Sequence, residues 1–165
     1  MKTAVPPKIN YLRLSITDRC NLRCFYCNYW QEGDKLPAAE ILRYEELLRV
    51  ASLAAEMGLR KVRVTGGEPL IRRGVVDFLH RLHKIPGLEE ICLTTNGVLL
   101  PDLAPALSEA GLRCLNVSLD TLRRDRYQKI TGRDNFFRGY GWAETGRLLG
   151  FPPGENQLRG AQKHQ

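Results

Sequence analysis

Residues 11–27 read YLRLSITDRCNLRCFYC, in which a short β-branched and apolar run leads directly into a loop with three cysteines. The same theme recurs along the chain, where an apolar run is followed by a loop and then by a stretch with helical spacing. This alternation is typical of βα units and predicts a parallel sheet. The predicted strands are residues 11–16, 61–65, 90–94 and 113–118.

Three helices are predicted between and after these strands. Apolar residues at i, i+3 and i+4 mark the first, from Tyr44 onward, and Gly58 ends it as a C-cap. The second covers residues 74–84, and the third begins near Pro101 and ends at Gly111. A closed barrel of eight units needs about 250 residues. These units therefore predict an α/β fold that forms an open arc of a (βα) barrel.

The composition and the first residues indicate the cellular location of the protein. Its 165 residues are 43% hydrophobic and 26% charged, as is usual for one globular domain with a core. No apolar run is long enough to cross a bilayer, and the first residues lack the pattern of a secretory signal. We therefore expect a cytoplasmic protein without a membrane partner, in which five cysteines point to metal binding or catalysis rather than disulfides.

Cys20, Cys24 and Cys27 follow the first predicted strand with three and two residues between them. Thiolates are the usual ligands of iron–sulfur clusters. Three ligands satisfy three irons of a cubane and leave the fourth open, and an open iron can chelate the amino and carboxylate groups of S-adenosylmethionine (SAM). An aromatic residue, Tyr26, precedes the last cysteine and would place its ring beside adenine. The spacing therefore predicts a cluster that binds SAM.

Other interpretations of the cysteines stay open. Cys24 and Cys27 could bind zinc together with His80 and His83, although this set gives Cys20 no role. The two histidines are also explained by a solvated or partly packed helix face, and the three thiols could bind no metal. The remaining cysteines, at positions 92 and 114, lie in apolar strands and are interpreted as small buried hydrophobic residues.

Three further loops follow predicted strands. Residues 65–69 read TGGEP, whose glycines let the backbone approach a ligand closely and whose carbonyls can accept from an ammonium group such as that of SAM. Residues 94–97 and 116–120 bring hydroxyl and amide groups to the same sheet edge. A simple Gly-Gly turn and capping of the next loop are the alternative explanations.

The positive charge suits an anionic ligand. The net charge is +7, which fits nucleic acid, a nucleotide or phosphate, or equally a solvated basic surface, because the basic residues are scattered. Arg13 and Arg63 lie within strands, where an inward guanidinium needs an anion such as a nucleotide triphosphate. Exposure on the solvent side of a strand would also explain them.

Four segments together resemble the radical SAM GTP 3′,8-cyclases of molybdenum cofactor biosynthesis: residues 12–27, 61–73, 93–97 and 116–120. Their order and spacing match that family over residues 9–136. The resemblance implies a barrel of six βα units, of which this chain holds about four. It also implies conversion of GTP to 3′,8-cyclo-7,8-dihydro-GTP, in which a 5′-deoxyadenosyl radical takes hydrogen from the ribose C3′.

The resemblance also implies roles for individual residues, none of them assigned as a catalytic acid or base. The ligands of a [4Fe–4S] cluster are Cys20, Cys24 and Cys27. The contacts to SAM are made by Tyr26, Gly67 and Ser118. The contacts to GTP are made by Arg13, Arg63 and Thr94. The implied partners are GTP and an electron donor, with no nucleic acid.

The chain departs from that family beyond its shared segments. Family members are about twice as long and carry a second cluster with three more cysteines, whereas none follows Cys114 here. The βα pattern fails after about Phe137. We therefore expect an arm over residues 1–10, a radical SAM core over 11–136 and a divergent, disordered tail over 137–165. This division predicts a truncated or frame-shifted product, completed by a homodimer or another chain.

Two rival functions are kept at this point. One is a radical SAM enzyme with another substrate, for example a peptide maturase. The other is a zinc-binding interaction module on nucleic acid, which only the net charge favours.

Overall fold

The computed structural model describes residues 9–27 and 35–140. Four strands in these ranges form one parallel sheet in sequence order. The strands are β1 (Tyr11–Ser15), β2 (Lys61–Thr65), β3 (Glu90–Thr95) and β4 (Cys114–Val117). The predicted parallel sheet is confirmed, and the observed strand ends agree with the predicted ones to within one residue.

Five α-helices occur in the described residues. They are α1 (Tyr44–Glu56), α2 (Val75–His83), α3 (Leu100–Glu109), α4 (Arg124–Thr131) and α5 (Phe136–Tyr140). The first three match the predicted helices. None of the helices in residues 9–27 and 35–140 combines the length and apolar character needed to span a bilayer.

The two faces of the sheet differ in character. Alternate strand residues such as Leu14, Val62 and Leu93 are buried and pack against apolar residues of α1, α2 and α3. The opposite face, which we call the inner face, is mostly polar, and its rows follow the strand register. One row runs from Arg13 through Arg63 to the cysteines of β3 and β4. The core therefore lies between the sheet and one layer of helices. The polar inner face takes no part in this core and is available for ligand binding.

Helices α4 and α5 were not predicted from the sequence. Helix α4 buries only Tyr127 and Thr131, so it carries no continuous apolar stripe, and it packs in a small second cluster with Leu119 and Phe136. Helix α5 crosses position 137, where the sequence pattern predicts the tail to begin. The rest of the predicted tail, residues 141–165, and residues 1–8 of the predicted arm lie outside the described residues.

Arg72 joins β1 to the segment before α1. Its Nη1 donates to the Ile16 carbonyl at 2.5 Å and its Nη2 to the Leu42 carbonyl at 2.7 Å. The guanidinium also lies 4.1 Å from the ring centroid of Tyr44, which stacks on Phe78 at 4.6 Å. Because Ile16 begins the cysteine loop, its hydrogen bond from Arg72 fixes the point where that loop leaves the sheet.

We expect Arg72→Lys to lower the free energy of unfolding by about 1–3 kcal/mol, because lysine cannot donate to both carbonyls from one planar group. The matched control is Arg73→Lys, since Arg73 is exposed and forms no hydrogen bond or ion pair within the described residues; its effect should stay within about 0.5 kcal/mol. Urea unfolding measures both values. Equal effects of the two substitutions would contradict this role of Arg72.

Candidate functional site

The carboxyl ends of all four strands meet at one edge of the sheet, because the strands are parallel. The loop after β1 carries the three clustered cysteines, and the loop after β2 carries Gly66, Gly67 and Glu68. The loops after β3 and β4 begin with Asn96 and Ser118. In parallel α/β folds this edge is the usual place for ligands.

The cysteine loop holds its three thiols half-buried, and no disulfide involves any of the five cysteines. A turn closes it, in which the Cys27 amide donates to the Cys24 carbonyl at 2.9 Å. The Cys20 sulfur accepts from the Leu22 amide at 3.4 Å and from Asn96 Nδ2 at 3.8 Å. The loop is therefore shaped locally and also tied to the end of β3.

The spacing of the sulfurs does not suit a single small ion. One tetrahedral zinc at 2.3 Å from each thiolate would bring its sulfurs to about 3.8 Å from one another. Within residues 9–27 and 35–140, Cys20, Cys24 and Cys27 do not form a group whose ligand atoms all lie within 4.8 Å. Ligands of a cluster bind different irons and lie farther apart. The donor set therefore fits a cluster better than one ion.

The predicted zinc set of Cys24, Cys27, His80 and His83 is not assembled in the described part of the chain. Both histidines lie on α2, whose buried side belongs to the core, whereas the cysteines lie at the sheet edge. The interpretation of the two histidines as part of a partly packed helix face fits this position, since His80 is half-buried and His83 is exposed.

Burial disfavours the thiolate forms of Cys20 and Cys24 unless a positive charge is bound beside them. It raises the pKa of Cys20 above its ordinary value and raises the pKa of Cys24 to about 11. Metal ligation requires the thiolate, so a bound positive charge must offset this cost. Before a metal binds, the protonated forms of Cys20 and Cys24 are therefore favoured.

The loop after β2 is joined directly to the cysteine loop. The Gly67 amide donates to the Thr17 carbonyl at 2.7 Å, and the Glu68 amide donates to the Arg19 carbonyl at 2.8 Å. A Cβ at Gly67 would lie 2.3 Å from the Arg19 carbonyl oxygen. The glycines thus permit the close approach of two loops, an effect the sequence analysis did not foresee. Among the described residues, the Gly66 and Gly67 carbonyls accept no hydrogen bond, so they can still receive an ammonium group.

Glu68 is the central residue of this edge, and the sequence analysis did not single it out. Its side chain is 1% exposed. One carboxylate oxygen accepts from the Leu70 amide at 3.0 Å and the Thr95 hydroxyl at 2.7 Å, and the other accepts from the Asn96 amide at 2.7 Å. Burial raises the pKa of Glu68, while these three donors oppose the shift. The signal available in the sequence was a carboxylate that caps the turn beginning at Pro69.

Asn96 extends this network to the cysteines. Its Nδ2 donates to Asn21 Oδ1 at 2.8 Å, besides its contact with the Cys20 sulfur. On the other side, the Arg23 amide donates to the Thr131 carbonyl at 2.8 Å and the Phe25 amide to the Ile130 carbonyl at 3.0 Å. The cysteine loop is therefore held by the loops after β2 and β3 and by the end of α4.

Two of the residues implied to contact SAM lie on the outer loops of the same edge. Tyr26 is 58% exposed, and its hydroxyl donates to Asp120 Oδ2 at 2.7 Å. Burial, followed by this hydrogen bond, raises the pKa of Tyr26. Ser118 is exposed, and its amide donates to the Thr95 carbonyl at 2.9 Å. Tyr26 belongs to the cysteine loop itself, whereas Gly67 and Ser118 lie in the loops after β2 and β4. The three residues therefore come from loops that follow three different strands.

The residues implied to contact GTP lie on the inner face. Arg63 donates through Nε to the Tyr11 hydroxyl at 2.8 Å and through Nη1 to the Thr94 hydroxyl at 3.4 Å. Arg13 is its register partner and is exposed, and the Arg13 side chain forms no hydrogen bond or ion pair with another described residue. Lys61, which the sequence analysis did not name, lies on the same face and pairs with Glu90 at 2.7 Å. Among the described strand residues of this face, Arg13, Arg63 and Lys61 are three cations, whereas Glu90 is the one carboxylate.

Two bacterial GTP 3′,8-cyclases are similar to the chain over most of its length. GTP 3′,8-cyclase from Geobacter sulfurreducens is 49% identical over 146 residues, which are 88% of this chain and 45% of that protein. GTP 3′,8-cyclase from Pelotomaculum thermopropionicum is 53% identical over 135 residues, which are 82% of this chain and 42% of that protein. The chain thus spans less than half the length of these relatives.

Solved structures share the fold. The structure of anSMEcpe with bound AdoMet superposes with a TM-score of 0.70 at 23% identity, covering 88% of this chain and 42% of that one. The structure of HydG, a maturase of the [FeFe]-hydrogenase, gives 0.69 at 16% identity, covering 86% of this chain and 33% of that one. With the parallel sheet described above, these likenesses show a partial radical SAM barrel and confirm the predicted fold class.

The family model of the Radical SAM superfamily matches residues 14–140, from β1 to α5. The matched range includes the cysteine loop, the Gly-Gly loop and the ends of all four strands. Membership implies SAM and an iron–sulfur cluster as cofactors. The chain belongs to the radical SAM superfamily.

Proposed function

We propose that this chain is the cluster- and SAM-binding part of a cytoplasmic GTP 3′,8-cyclase that acts in molybdenum cofactor biosynthesis. The observation that carries the proposal is the set of three half-buried thiols, Cys20, Cys24 and Cys27, on a loop anchored at the carboxyl edge of a parallel sheet. The relatives at about 50% identity bear the cyclase name, although the chain spans under half of their length. The radical SAM core would be residues 11–136.

The three cysteines would hold a [4Fe–4S] cluster through three irons. When bound, the cluster supplies the electron that breaks an S–C bond of SAM, and an external donor replaces that electron. The chain's own residues bind and orient SAM: the carbonyls beside Gly67 accept from its ammonium group, Tyr26 presents an aromatic ring, and Ser118 offers a hydroxyl. Glu68 positions the carbonyls beside Gly67 because it fixes the loop after β2 against the end of β3.

The inner face would bind GTP for conversion to 3′,8-cyclo-7,8-dihydro-GTP. Arg13 and Arg63 are adjacent in register and would receive phosphate oxygens, to which guanidinium groups donate well. Thr94 lies one row closer to the cysteine edge and already contacts Arg63. The triphosphate would therefore lie along the strands, with the rest of the nucleotide directed toward the edge where SAM binds.

Anaerobic reconstitution with iron and sulfide tests the cluster. We expect about four irons per chain and an absorption or spin-resonance signal that changes when SAM is added, because SAM would fill the open iron position. Cys20→Ser, Cys24→Ser or Cys27→Ser should each lose most of this iron. Phe25→Leu, a change in the same loop at an exposed side chain without a thiol, should keep it.

A colourless reconstituted protein that retains zinc would contradict this proposal. So would a SAM-insensitive signal in a chain that carries its full iron content.

We expect Glu68→Gln to weaken SAM binding by about tenfold or more and to cost about 1–3 kcal/mol of stability. Both carboxylate oxygens of Glu68 accept hydrogen bonds, and glutamine would replace one of these oxygens with an NH2 group. Two hydrogen-bond donors would then face each other, and the buried donor would lose its acceptor. Equilibrium dialysis of labelled SAM with the cluster-loaded chain measures the affinity. Glu109→Gln, at the exposed end of α3, is the control, and equal SAM affinity in both variants would argue against the role of Glu68.

Arg63→Met should weaken GTP binding about tenfold to a hundredfold, since a charge-assisted hydrogen bond contributes about 1.5–3 kcal/mol. Calorimetric titration measures the dissociation constants of GTP and guanosine. Guanosine should bind equally to the wild-type chain and the variant, because it lacks the phosphates. Arg49→Met, exposed on the outer side of α1, is the matched control. A GTP affinity that Arg63→Met leaves unchanged would remove the inner face from the proposal.

A further inference from the structure

Cys92 and Cys114 are more than packing residues, because they lie beside a carboxylate. The two are register partners on β3 and β4, on the inner face. Cys92 is 0% exposed and Cys114 is 8% exposed, so their prediction as buried small residues holds. Glu90, the first residue of β3, lies on the same face, and the Cys92 sulfur is 3.2 Å from its Oε1.

These three side chains form one compact donor group. One carboxylate oxygen and the two sulfurs all lie within 4.8 Å of one another, and no other set of His, Cys, Asp and Glu does so in residues 9–27 and 35–140. A tetrahedral zinc with bonds of 2.3 Å to sulfur and about 2.1 Å to oxygen needs separations of about 3.5–3.8 Å. Small rotations of the side chains therefore suffice to close the group around one ion.

The surrounding charges suit a divalent cation. Lys61 Nζ lies 2.7 Å from Glu90 Oε1, and Arg63 Nη2 lies 3.9 Å from the Cys114 sulfur. Two thiolates and one carboxylate would carry three negative charges against these two positive ones. A divalent ion leaves the group close to neutral, so the neighbouring cations do not prevent binding and help to hold the thiolates.

The group is also separate from the cysteine loop. Cys92 precedes Asn96, which touches Cys20, by four residues along an extended strand. At about 3.3 Å per residue this is about 13 Å, much more than the width of one metal site. The side chains of Glu90 and Lys61 are 40% and 28% exposed, so an ion can enter from the amino end of the strands.

We propose that Glu90, Cys92 and Cys114 form a second metal site, which takes a borderline-soft divalent ion of the zinc class. Thiolate and carboxylate ligands together favour such an ion over magnesium or calcium. Three protein ligands leave one position for water or a ligand oxygen. On binding, each thiol loses its proton to solvent as its sulfur bonds to the metal, so uptake releases up to two protons.

Cys92 and Cys114 hydrogen-bond to each other, and this contact, followed by burial and by Glu90, raises the pKa of Cys92.

The test uses the full chain with Cys20, Cys24 and Cys27 changed to serine, which removes the other clustered thiols, and titrates it with Co²⁺ under reducing, oxygen-free conditions. We expect one Co²⁺ per chain, with charge-transfer absorption from two sulfur–cobalt bonds that added Zn²⁺ abolishes. Cys114→Ser should halve that absorption. Glu90→Gln should keep both sulfur bonds but weaken binding more than about tenfold, since even indirect partners of a metal contribute that much.

Glu89→Gln is the matched control, because Glu89 is the exposed neighbour of Glu90 and pairs with Arg60 instead; its Co²⁺ affinity should equal that of the parent chain. If the triple variant does not fold, the unsubstituted chain is first loaded with its cluster, and bound zinc is measured by atomic emission. One zinc per chain that Glu90→Gln removes and Glu89→Gln retains supports the site. Absence of binding, or absorption that Cys114→Ser leaves unchanged, overturns it without affecting the proposed cluster at Cys20, Cys24 and Cys27.

Discussion

The candidate site depends on one buried carboxylate. Glu68 receives hydrogen bonds from the Leu70 amide, the Thr95 hydroxyl and the Asn96 amide, and so fixes the end of β3 against the loop after β2. Its own amide reaches the Arg19 carbonyl in the cysteine loop. A buried anion without partners would be very costly, whereas three donors make it a rigid junction. The position of Gly67, one of the proposed SAM contacts, follows from this junction.

Close backbone packing, in addition to Glu68, holds the loop after β2 against the cysteine loop. The Gly67 position has no room for a side chain, because a Cβ there would meet the Arg19 carbonyl oxygen at 2.3 Å. Gly66 is in the same situation against the Thr17 carbonyl at 2.4 Å. The cysteine loop is thus held by backbone contacts that do not depend on its thiols. A site of this kind can keep its shape before the metal binds and spend little of the binding free energy on ordering.

The sequence predicted the strands well because alternation and β-branched runs report a two-sided sheet directly, as in residues 61–65. It also predicted the cysteine loop, since the spacing of Cys20, Cys24 and Cys27 is a local property. It did not predict α4, whose few buried residues give no periodic signal. Nor did it predict the partners of Glu68, because Thr95 lies 27 positions away and only the strand register brings the two together.

The inner face places like charges next to each other, which lowers the stability of the sheet. Arg13 and Arg63 are direct register partners on β1 and β2, and like charges opposite each other destabilise a sheet. Tyr11 and Thr94 accept hydrogen bonds from Arg63 but bring no negative charge. Glu90 is already paired with Lys61 at the amino end of the strands. The positive charge without a carboxylate partner therefore lies one row closer to the carboxyl ends than the Lys61–Glu90 pair, in the row of Arg13 and Arg63. An anion bound at this row would relieve the repulsion between the two guanidinium groups. The rest of such a ligand would extend along the inner face toward the edge that holds the cysteines, where SAM is proposed to bind.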